Sequence, residues 1–242
     1  VKPPTHGLLS GEAPDLVYTV NPNYNGEDLI VFKVFQNGVP SPDGFVRLTI
    51  LPVNDAPEAF NSKVNTVEDQ SVEVVLGGVD VDGDVLSYDL VALPQNGVIE
   101  GAGNQWTYTP NENVNGNDQF SFSVTDGFVD SPSALVEIQI AAVNDPPLAA
   151  NLFFDVEEDA SFTGVLPVID VDGDPLLYKV VQLPSKGVVN MEAGQFVYTP
   201  NPDVNGDDYF TYSVFDGRSL SSEATVSFTI NPINDPPFGV DV

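Results

Sequence analysis

The sequence predicts an all-β chain of tandem β-sandwich repeats, and three observations lead to this prediction. Short motifs recur at intervals of 90 residues, and within each interval apolar residues alternate with polar ones. In addition, 20 Gly and 21 Pro interrupt the 242 residues every few positions. Alternation with a period of two is typical of half-buried strands, whereas an amphipathic helix repeats its apolar residues every three or four positions.

The 90-residue interval is shown by motifs that align without a gap. Tyr-Thr-x-Asn motifs begin at Tyr18, Tyr108 and Tyr198. Asn-Asp pairs, each followed by Ala-Pro or Pro-Pro, begin at Asn54, Asn144 and Asn234. A fixed interval of this length indicates repeated structural units rather than one large domain.

Domain boundaries follow from this alignment. We predict complete repeats at 58–147 and 148–237. Residues 1–57 match only the later part of a repeat, so we predict a partial unit that lacks its opening strands. Residues 238–242 would begin the next linker or a tail.

Two strand patterns occupy matching places in every unit. The first covers residues 30–34, 120–124 and 210–214. The second covers residues 46–50, 136–140 and 226–230. About seven short strands in ~90 residues, with turns at regular spacing, is the pattern of an immunoglobulin-like sandwich. Because the linkers are short and rich in Pro, we expect the repeats to form an extended rod.

Charge and composition exclude several classes of function. The chain has 7 Lys and Arg against 36 Asp and Glu, a net charge of −29, which repels nucleic acid and anionic membranes. No apolar run approaches the ~18 residues of a membrane span, so we expect no membrane insertion of this segment. The N-terminus lacks the pattern of a signal peptide, and any export signal would lie outside the sequence. With no Cys, disulfides, thiolate metal sites and Cys nucleophiles are excluded.

The acids keep their register between the two complete repeats. Random placement would pair about two of them, whereas eight pairs coincide. The pairs are Glu68/Glu158, Asp69/Asp159, Asp80/Asp170, Asp82/Asp172, Asp84/Asp174, Asp118/Asp208, Asp126/Asp216 and Asp145/Asp235. No basic residue recurs in the same way, so ion pairs within the chain do not explain them.

Three of these acids fall within five residues, Asp80-Val-Asp82-Gly-Asp84, and the motif recurs at 170–174. A hard divalent cation with oxygen ligands relieves the repulsion among such carboxylates, and Ca²⁺ is the natural candidate. The motif is not an EF-hand, because the Gly is misplaced, the twelfth-position Glu is absent and strands flank it. The alternative is that Asp-Gly makes only a turn.

The order of these motifs resembles that of cadherin repeats. Val67-Glu68-Asp69, the Asp80 motif, Val124-Thr-Asp126-Gly127 and Val143-Asn144-Asp145 occur in the cadherin order. The Tyr-Thr-Pro-Asn and Asn-Gly-x-Asp-x-Phe motifs are more similar to the cadherin-like and immunoglobulin-like tandem repeats of large bacterial surface adhesion proteins.

This resemblance implies that Ca²⁺ lies at the junctions between repeats, held by the base of one repeat, the linker and the top of the next. The central junction would use Glu68, Asn117 or Asp118, Asn144, Asp145, Asp170, Asp172, Asp174 and Asp216. The preceding junction would use Asn54, Asp55, Asp80, Asp82, Asp84 and Asp126, with Glu27 or Asp28. A weaker, half-formed final junction would use Glu158, Asp207 or Asp208, Asn234 and Asp235. The acid-Arg-Glu motif of vertebrate cadherin bases is replaced here by Asn115-Gly-Asn117-Asp118.

The sequence thus predicts a Ca²⁺-stiffened spacer or adhesion segment of a secreted or surface-displayed protein, whose partners are Ca²⁺ and neighbouring repeats. The alternative is a module that binds a surface glycan or a protein. Trp106 could form a sugar platform, but its counterparts Phe196 and Leu16 favour a core position. We expect no enzyme, because the chain shows no catalytic motif and His6 is not repeated. The partial unit should hold an apolar face that a neighbouring molecule buries.

Overall fold

The computed structural model describes residues 1–234, and within that range the regular secondary structure is strand alone. The chain divides into two compact units, Val1–Ala142 and Val143–Val242, and each is described by itself. Across the described residues, no helix is long and apolar enough to cross a lipid bilayer. The all-β prediction is confirmed. The exact repeat boundaries stay a prediction.

The first unit begins with the partial repeat. Its strands are β1 (Gly7–Glu12), β2 (Asp15–Val20), β3 (Gly26–Phe32), β4 (Phe35–Gln36), β5 (Val39–Pro40) and β6 (Gly44–Ile50). They form three antiparallel pairs, β1 with β2, β3 with β6 and β4 with β5.

The rest of the first unit is a complete sandwich. Its strands are β7 (Glu58–Phe60), β8 (Ser62–Val67), β9 (Val72–Val75), β10 (Gly77–Val79), β11 (Ser87–Ala92), β12 (Gly97–Ala102), β13 (Gln105–Pro110), β14 (Gly116–Thr125) and β15 (Ala134–Ala141). One sheet has the order β11-β14-β15-β8, in which β15 and β8 run parallel, and the facing sheet has the order β12-β13-β9.

The second unit repeats this sandwich. Its strands are β16 (Leu148–Ala149), β17 (Leu152–Glu157), β18 (Phe162–Val165), β19 (Val168–Ile169), β20 (Leu177–Gln182), β21 (Gly187–Glu192), β22 (Gln195–Pro200), β23 (Gly206–Phe215) and β24 (Ala224–Asn231). The four-stranded sheet has the order β17-β24-β23-β20 and the facing sheet has the order β18-β22-β21.

Alternation along the strands places the core between the two sheets of each sandwich. On β15, Val136, Ile138 and Ile140 are buried, whereas Glu137 and Gln139 between them are exposed. The second core is more aromatic, and Tyr198 stacks on Phe228 with ring centroids 4.0 Å apart. Aromatic pairs of this kind add to the stability that burial alone provides.

The partial repeat leaves part of its core face accessible. Val46 is 41% exposed, whereas the aligned Val136 of the complete repeat is 0% exposed. The reason is that β3 pairs only with β6 in its sheet, whereas the equivalent β14 and β15 are flanked by β11 and β8. The expected apolar face is therefore present. Its burial by a neighbouring molecule stays a prediction.

Candidate metal centres

The two aspartate motifs form compact clusters of oxygen atoms, one in each unit. Asp80, Asp82 and Asp84 lie between β10 and β11, in a turn where Gly83 adopts a φ of +82°. Each residue offers one carboxylate oxygen, and these oxygens all lie within 4.8 Å of one another. Asp170, Asp172 and Asp174 form the same arrangement between β19 and β20.

The leading aspartate of each cluster uses its two oxygens differently. Asp80 Oδ1 accepts hydrogen bonds from the N–H groups of Asp82 and Asp84, at 2.8 and 3.2 Å, and so shapes the loop. Asp170 Oδ1 accepts from the Asp174 N–H at 3.0 Å. The Oδ2 atoms of Asp80 and Asp170 are buried and have no hydrogen-bond partner. A buried acceptor without a partner costs about 1–3 kcal/mol, which contact with a positively charged group would offset.

The linker residues make two repeated hydrogen bonds, one to an aspartate cluster and one to a separate aspartate on another loop. The backbone N–H of Asp55 donates to Asp82 Oδ2 at 2.8 Å. Asn54 Nδ2 donates to Asp126 Oδ2, also at 2.8 Å. The structure therefore gathers linker and loop residues that are far apart in the chain.

The second unit keeps the same contacts. The Asp145 N–H donates to Asp172 Oδ2, and Asn144 Nδ2 donates to Asp216 Oδ2, both at 2.8 Å. Because Asn144 uses its amide nitrogen in this way, its Oδ1 is left over, and this atom is buried without a partner. A third buried oxygen acceptor thus lies among the residues that the sequence proposed as ligands.

The carboxylates of Asp126 and Asp216 are held in the charged form. The Val129 N–H, together with the Asn54 amide and the Phe128 N–H, lowers the pKa of Asp126 from its ordinary value. The pKa of Asp216 is lowered in the same way, chiefly by the Ser219 N–H. Both groups are anionic at neutral pH.

Basic side chains do not neutralise the clusters. Among residues 1–234 the ion pair that the structure shows is Lys33 with Asp43, at 3.3 Å, and both side chains are half exposed. The oxygen atoms gathered around Asp80 and Asp170 belong to carboxylate and carboxamide groups. Such oxygens are the ligands of hard divalent cations. The residues present therefore fit Ca²⁺.

The glutamates proposed for the base of each repeat are buried. Asn115 Nδ2 donates to Glu68 Oε2 at 3.3 Å, and the Ile233 N–H donates to Glu158 Oε1 at 2.7 Å. Asn234 lies within the described residues, and Asp235 lies outside them. Glu68, Glu158, Asn234 and Asp235 remain predicted ligands.

Asp118 and Asp208 lie in a different setting, because their carboxylates accept hydrogen bonds within the sandwich. Their role as ligands stays a prediction. Asp118 Oδ1 accepts from the N–H groups of Gln95 and Gln119, at 3.0 and 2.8 Å. Its Oδ2 accepts from the Asn96 N–H at 2.9 Å and the Tyr108 hydroxyl at 2.8 Å. Burial alone would raise the pKa of Asp118, but these donors hold it below its ordinary value.

The same network recurs in the other repeats. Tyr198 donates to Asp208 Oδ2 at 2.7 Å, and Tyr18 donates to Asp28 Oδ2 at 2.9 Å. We do not use Asp28, Asp118 and Asp208 in the ligand sets that we propose, because hydrogen bonds already engage their carboxylates. Sequence reasoning missed this role, although the repetition of Tyr with Asp ten residues later was a signal for it.

The residues weighed for other functions are placed as follows. Trp106 packs against the core and donates its indole N–H to the Gly103 carbonyl at 2.8 Å, as the core interpretation expects. His6 stacks on Tyr24 with ring centroids 4.0 Å apart. A residue of the second core not weighed in this way is Phe154, which packs against Phe162 and Phe228.

Comparisons with known proteins agree with this architecture. The bacterial Ig domain family model matches residues 54–139 and 144–229. Integrin beta-like protein B of Dictyostelium discoideum is 24% identical over 291 residues, covering 95% of this chain and 15% of that protein. Integrin beta-like protein A of the same organism is 27% identical over 238 residues, covering 80% and 12%. The chain thus spans less than a fifth of the length of these relatives.

Solved structures show the same fold. The protocadherin gamma B4 extracellular domain superposes with a TM-score of 0.54 at 17% identity, covering 93% of this chain and 44% of that one. Extracellular cadherin domains 1–4 of protocadherin gamma B7 give a TM-score of 0.51 at 15% identity, covering 96% and 67%. At these identities the likeness shows a cadherin-like fold and nothing about ligands.

Proposed function

Because this chain belongs to the bacterial Ig domain family, in two tandem copies with a cadherin-like fold, we propose that it is a Ca²⁺-stiffened spacer in an extracellular adhesion protein. The matched relatives are integrin beta-like proteins, which supports an adhesion setting. We propose no catalytic role, since the family and fold are those of adhesion-type domains.

One observation carries the proposal for Ca²⁺. Asp80 Oδ2, Asp170 Oδ2 and Asn144 Oδ1 are buried oxygen acceptors without a hydrogen-bond partner. Asp80 and Asp170 each belong to a cluster of three acids, and Asn144 lies in the linker whose next residue, Asp145, donates to Asp172 of the second cluster. A turn formed by Asp-Gly alone does not need such atoms. In each unit, a bound cation that takes six to eight oxygen ligands would compensate such acceptors.

The proposed ligands from the linkers and loops divide by unit, and Glu68, Glu158, Asn234 and Asp235 stay predicted ligands outside these two sets. In the first unit they are Asn54, Asp55, Asp80, Asp82, Asp84 and Asp126. In the second unit they are Asn144, Asp145, Asp170, Asp172, Asp174 and Asp216. When bound, Ca²⁺ would supply positive charge and a shared coordination centre. The residues of the chain supply the oxygens and, through the Asn54 and Asn144 amides, tie the linker to the loop below it.

Stiffening follows from what the linker contacts. Without cation, a linker at Asn144 and Asp145 is held to its repeat mainly by hydrogen bonds to carboxylates that repel one another. With cation, linker and loop would share one ion, and the linker would hinge less. Extracellular Ca²⁺ modules bind with a dissociation constant of about 10⁻⁴–10⁻³ M, so the chain would be stiff outside a cell and loose inside.

Small-angle scattering with Ca²⁺ and with chelator tests this function. We expect the maximum dimension and the radius of gyration to differ between the two conditions. The variant Asp170→Asn keeps an oxygen that accepts from the Asp174 N–H. It replaces the unpartnered oxygen Oδ2 with an amide NH₂ group. This variant should resemble the chelated protein, whereas Asp89→Asn, at an exposed position, should resemble the wild type. A wild type that scatters identically in both conditions would contradict the proposal.

A further inference from the structure

The outer face of the four-stranded sheet in the second unit carries an aromatic pair that the Ca²⁺ proposal does not use. Phe153 on β17 is 80% exposed, and Tyr209 on β23 is 45% exposed. Both lie opposite Ser227 on β24, the strand between them. Exposed aromatic side chains on a sheet whose core is already full mark a surface that meets a partner.

Together these residues form a slot. Two strand spacings separate the backbones of Phe153 and Tyr209 by about 9.6 Å, and Ser227 leaves the space between the rings open. Atoms in contact lie about 3.5–4 Å apart, so one flat group fits between the rings. Gln182 Nε2 donates to the Tyr209 hydroxyl at 2.8 Å and fixes that ring.

The neighbouring row of side chains is acidic. Asp155 and Asp207 lie on either side of Thr229, two residues along the strands from the aromatic pair. Both acids are exposed, and across the described part of the chain no hydrogen bond or ion pair is found for either side chain. The six residues line one groove.

Among residues 1–234, no basic side chain lines this groove. Lys179 lies opposite Ser213, four residues along β23 from Tyr209, which is about 13 Å away. Lys186 donates its Nζ to the Asn205 carbonyl at 3.0 Å. Aromatic faces beside uncompensated carboxylates attract a cation, and a planar guanidinium satisfies both better than an ammonium does.

The first complete repeat offers an internal comparison. Its residues aligned with Phe153 and Tyr209 are Lys63 and Gln119, so the aromatic slot is absent. The side chain of Lys63, which is positively charged, lines the equivalent groove. Lys63 lies directly opposite Glu137 on the neighbouring strand. The same face is therefore supplied with its own positive charge in one repeat and lacks it in the other.

We propose that the slot between Phe153 and Tyr209 binds an arginine side chain of an extended, basic partner peptide. The guanidinium would stack between the rings, and its N–H groups would donate to Asp155 and Asp207. This interaction is independent of the Ca²⁺ clusters, and the charge of −29 would draw a basic partner to the chain.

An NMR titration of the full chain with acetyl-Gly-Gly-Arg-Gly-Gly-amide tests the inference. We expect saturable shifts of the Phe153 and Tyr209 ring signals at millimolar peptide, both with Ca²⁺ and with chelator. The same peptide with citrulline in place of arginine, which is neutral and of similar shape, should bind about tenfold more weakly.

One variant gives the second unit the residues that the first complete repeat has at the aligned positions, Lys and Gln. The double variant Phe153→Lys with Tyr209→Gln changes two exposed residues and should abolish the saturable shifts, read at the Ser227 and Thr229 amide signals that this variant keeps. Lys63→Ala should leave the shifts unchanged. Equal binding of the citrulline peptide would overturn the inference, as would tighter binding of cellohexaose, which would indicate a sugar platform. Shifts that spread over all acidic surfaces and survive the double variant would reduce it to nonspecific attraction.

Discussion

Replacing Asp118 by Asn should remove a large part of the stability of the first complete repeat. The carboxylate accepts four hydrogen bonds, from three backbone N–H groups and the Tyr108 hydroxyl, at 2.8 to 3.0 Å. Asparagine keeps one accepting oxygen and turns an NH₂ group toward the remaining donors. Each buried donor left without a partner costs about 1–3 kcal/mol, and the Tyr108 hydroxyl can rotate to accept. We expect a loss of about 2–4 kcal/mol in the free energy of unfolding.

The assay is urea unfolding followed by the fluorescence of Trp106. This residue is the single Trp of the chain and lies on β13 of the same repeat, so its signal reports that repeat alone. With a urea dependence of about 2 kcal/mol per molar, the midpoint should fall by about 1–2 M.

Two further variants distinguish the loss of the Asp118 hydrogen bonds from the loss of one negative charge. Asp89→Asn removes the same charge at an exposed site and should shift the free energy by less than about 0.5 kcal/mol. Tyr108→Phe removes one donor, and combining it with Asp118→Asn should cost less than the sum of the two. An Asp118→Asn midpoint equal to that of Asp89→Asn would refute the reasoning.

Three other outcomes are expected. The pKa values of Asp118 and Asp208 are lower in the folded chain than in the unfolded chain. The stability that these carboxylates contribute is therefore present above pH ~4 and is lost as the pH falls through their folded pKa values. Urea midpoints measured from pH 7 to pH 3 check this dependence. Gly97→Ala would place a Cβ 2.6 Å from the Tyr108 ring, and we expect a loss of about 1–3 kcal/mol in Trp106-monitored unfolding, which a wild-type midpoint would contradict. At 10 mM, Ca²⁺ should stabilise the chain by about 1–3 kcal/mol in thermal melts, and equal melting in chelator would argue against bound cation.

The fold could be predicted because its signal is local and repeated. Alternation along β14 and β15 depends on which side chains face the core, and the 90-residue interval shows it three times. The aspartate clusters could be found for the same reason, because three acids within five residues are brought together by a single turn.

Other features depend on contacts that a sequence pattern does not show. The donors to Asp118 include backbone N–H groups of Gln95 and Asn96, which lie 23 and 22 residues earlier in the chain. The residue types Gln and Asn do not indicate that the backbone N–H groups at these positions donate to Asp118. The Phe153 slot was missed because Phe154 beside it belongs to the core, and two adjacent Phe residues suggest one buried site. Strand alternation turns them to opposite faces.

Direct measurement of Ca²⁺ binding by equilibrium dialysis tests the central claim most sharply. We propose that the buried oxygens of Asp80 and Asp170 bind a cation. The wild type should show saturable binding with a dissociation constant of about 10⁻⁴–10⁻³ M, and Asp80→Asn and Asp170→Asn should each remove a separate fraction of it. Binding that never saturates, or that both variants leave unchanged, would contradict the account.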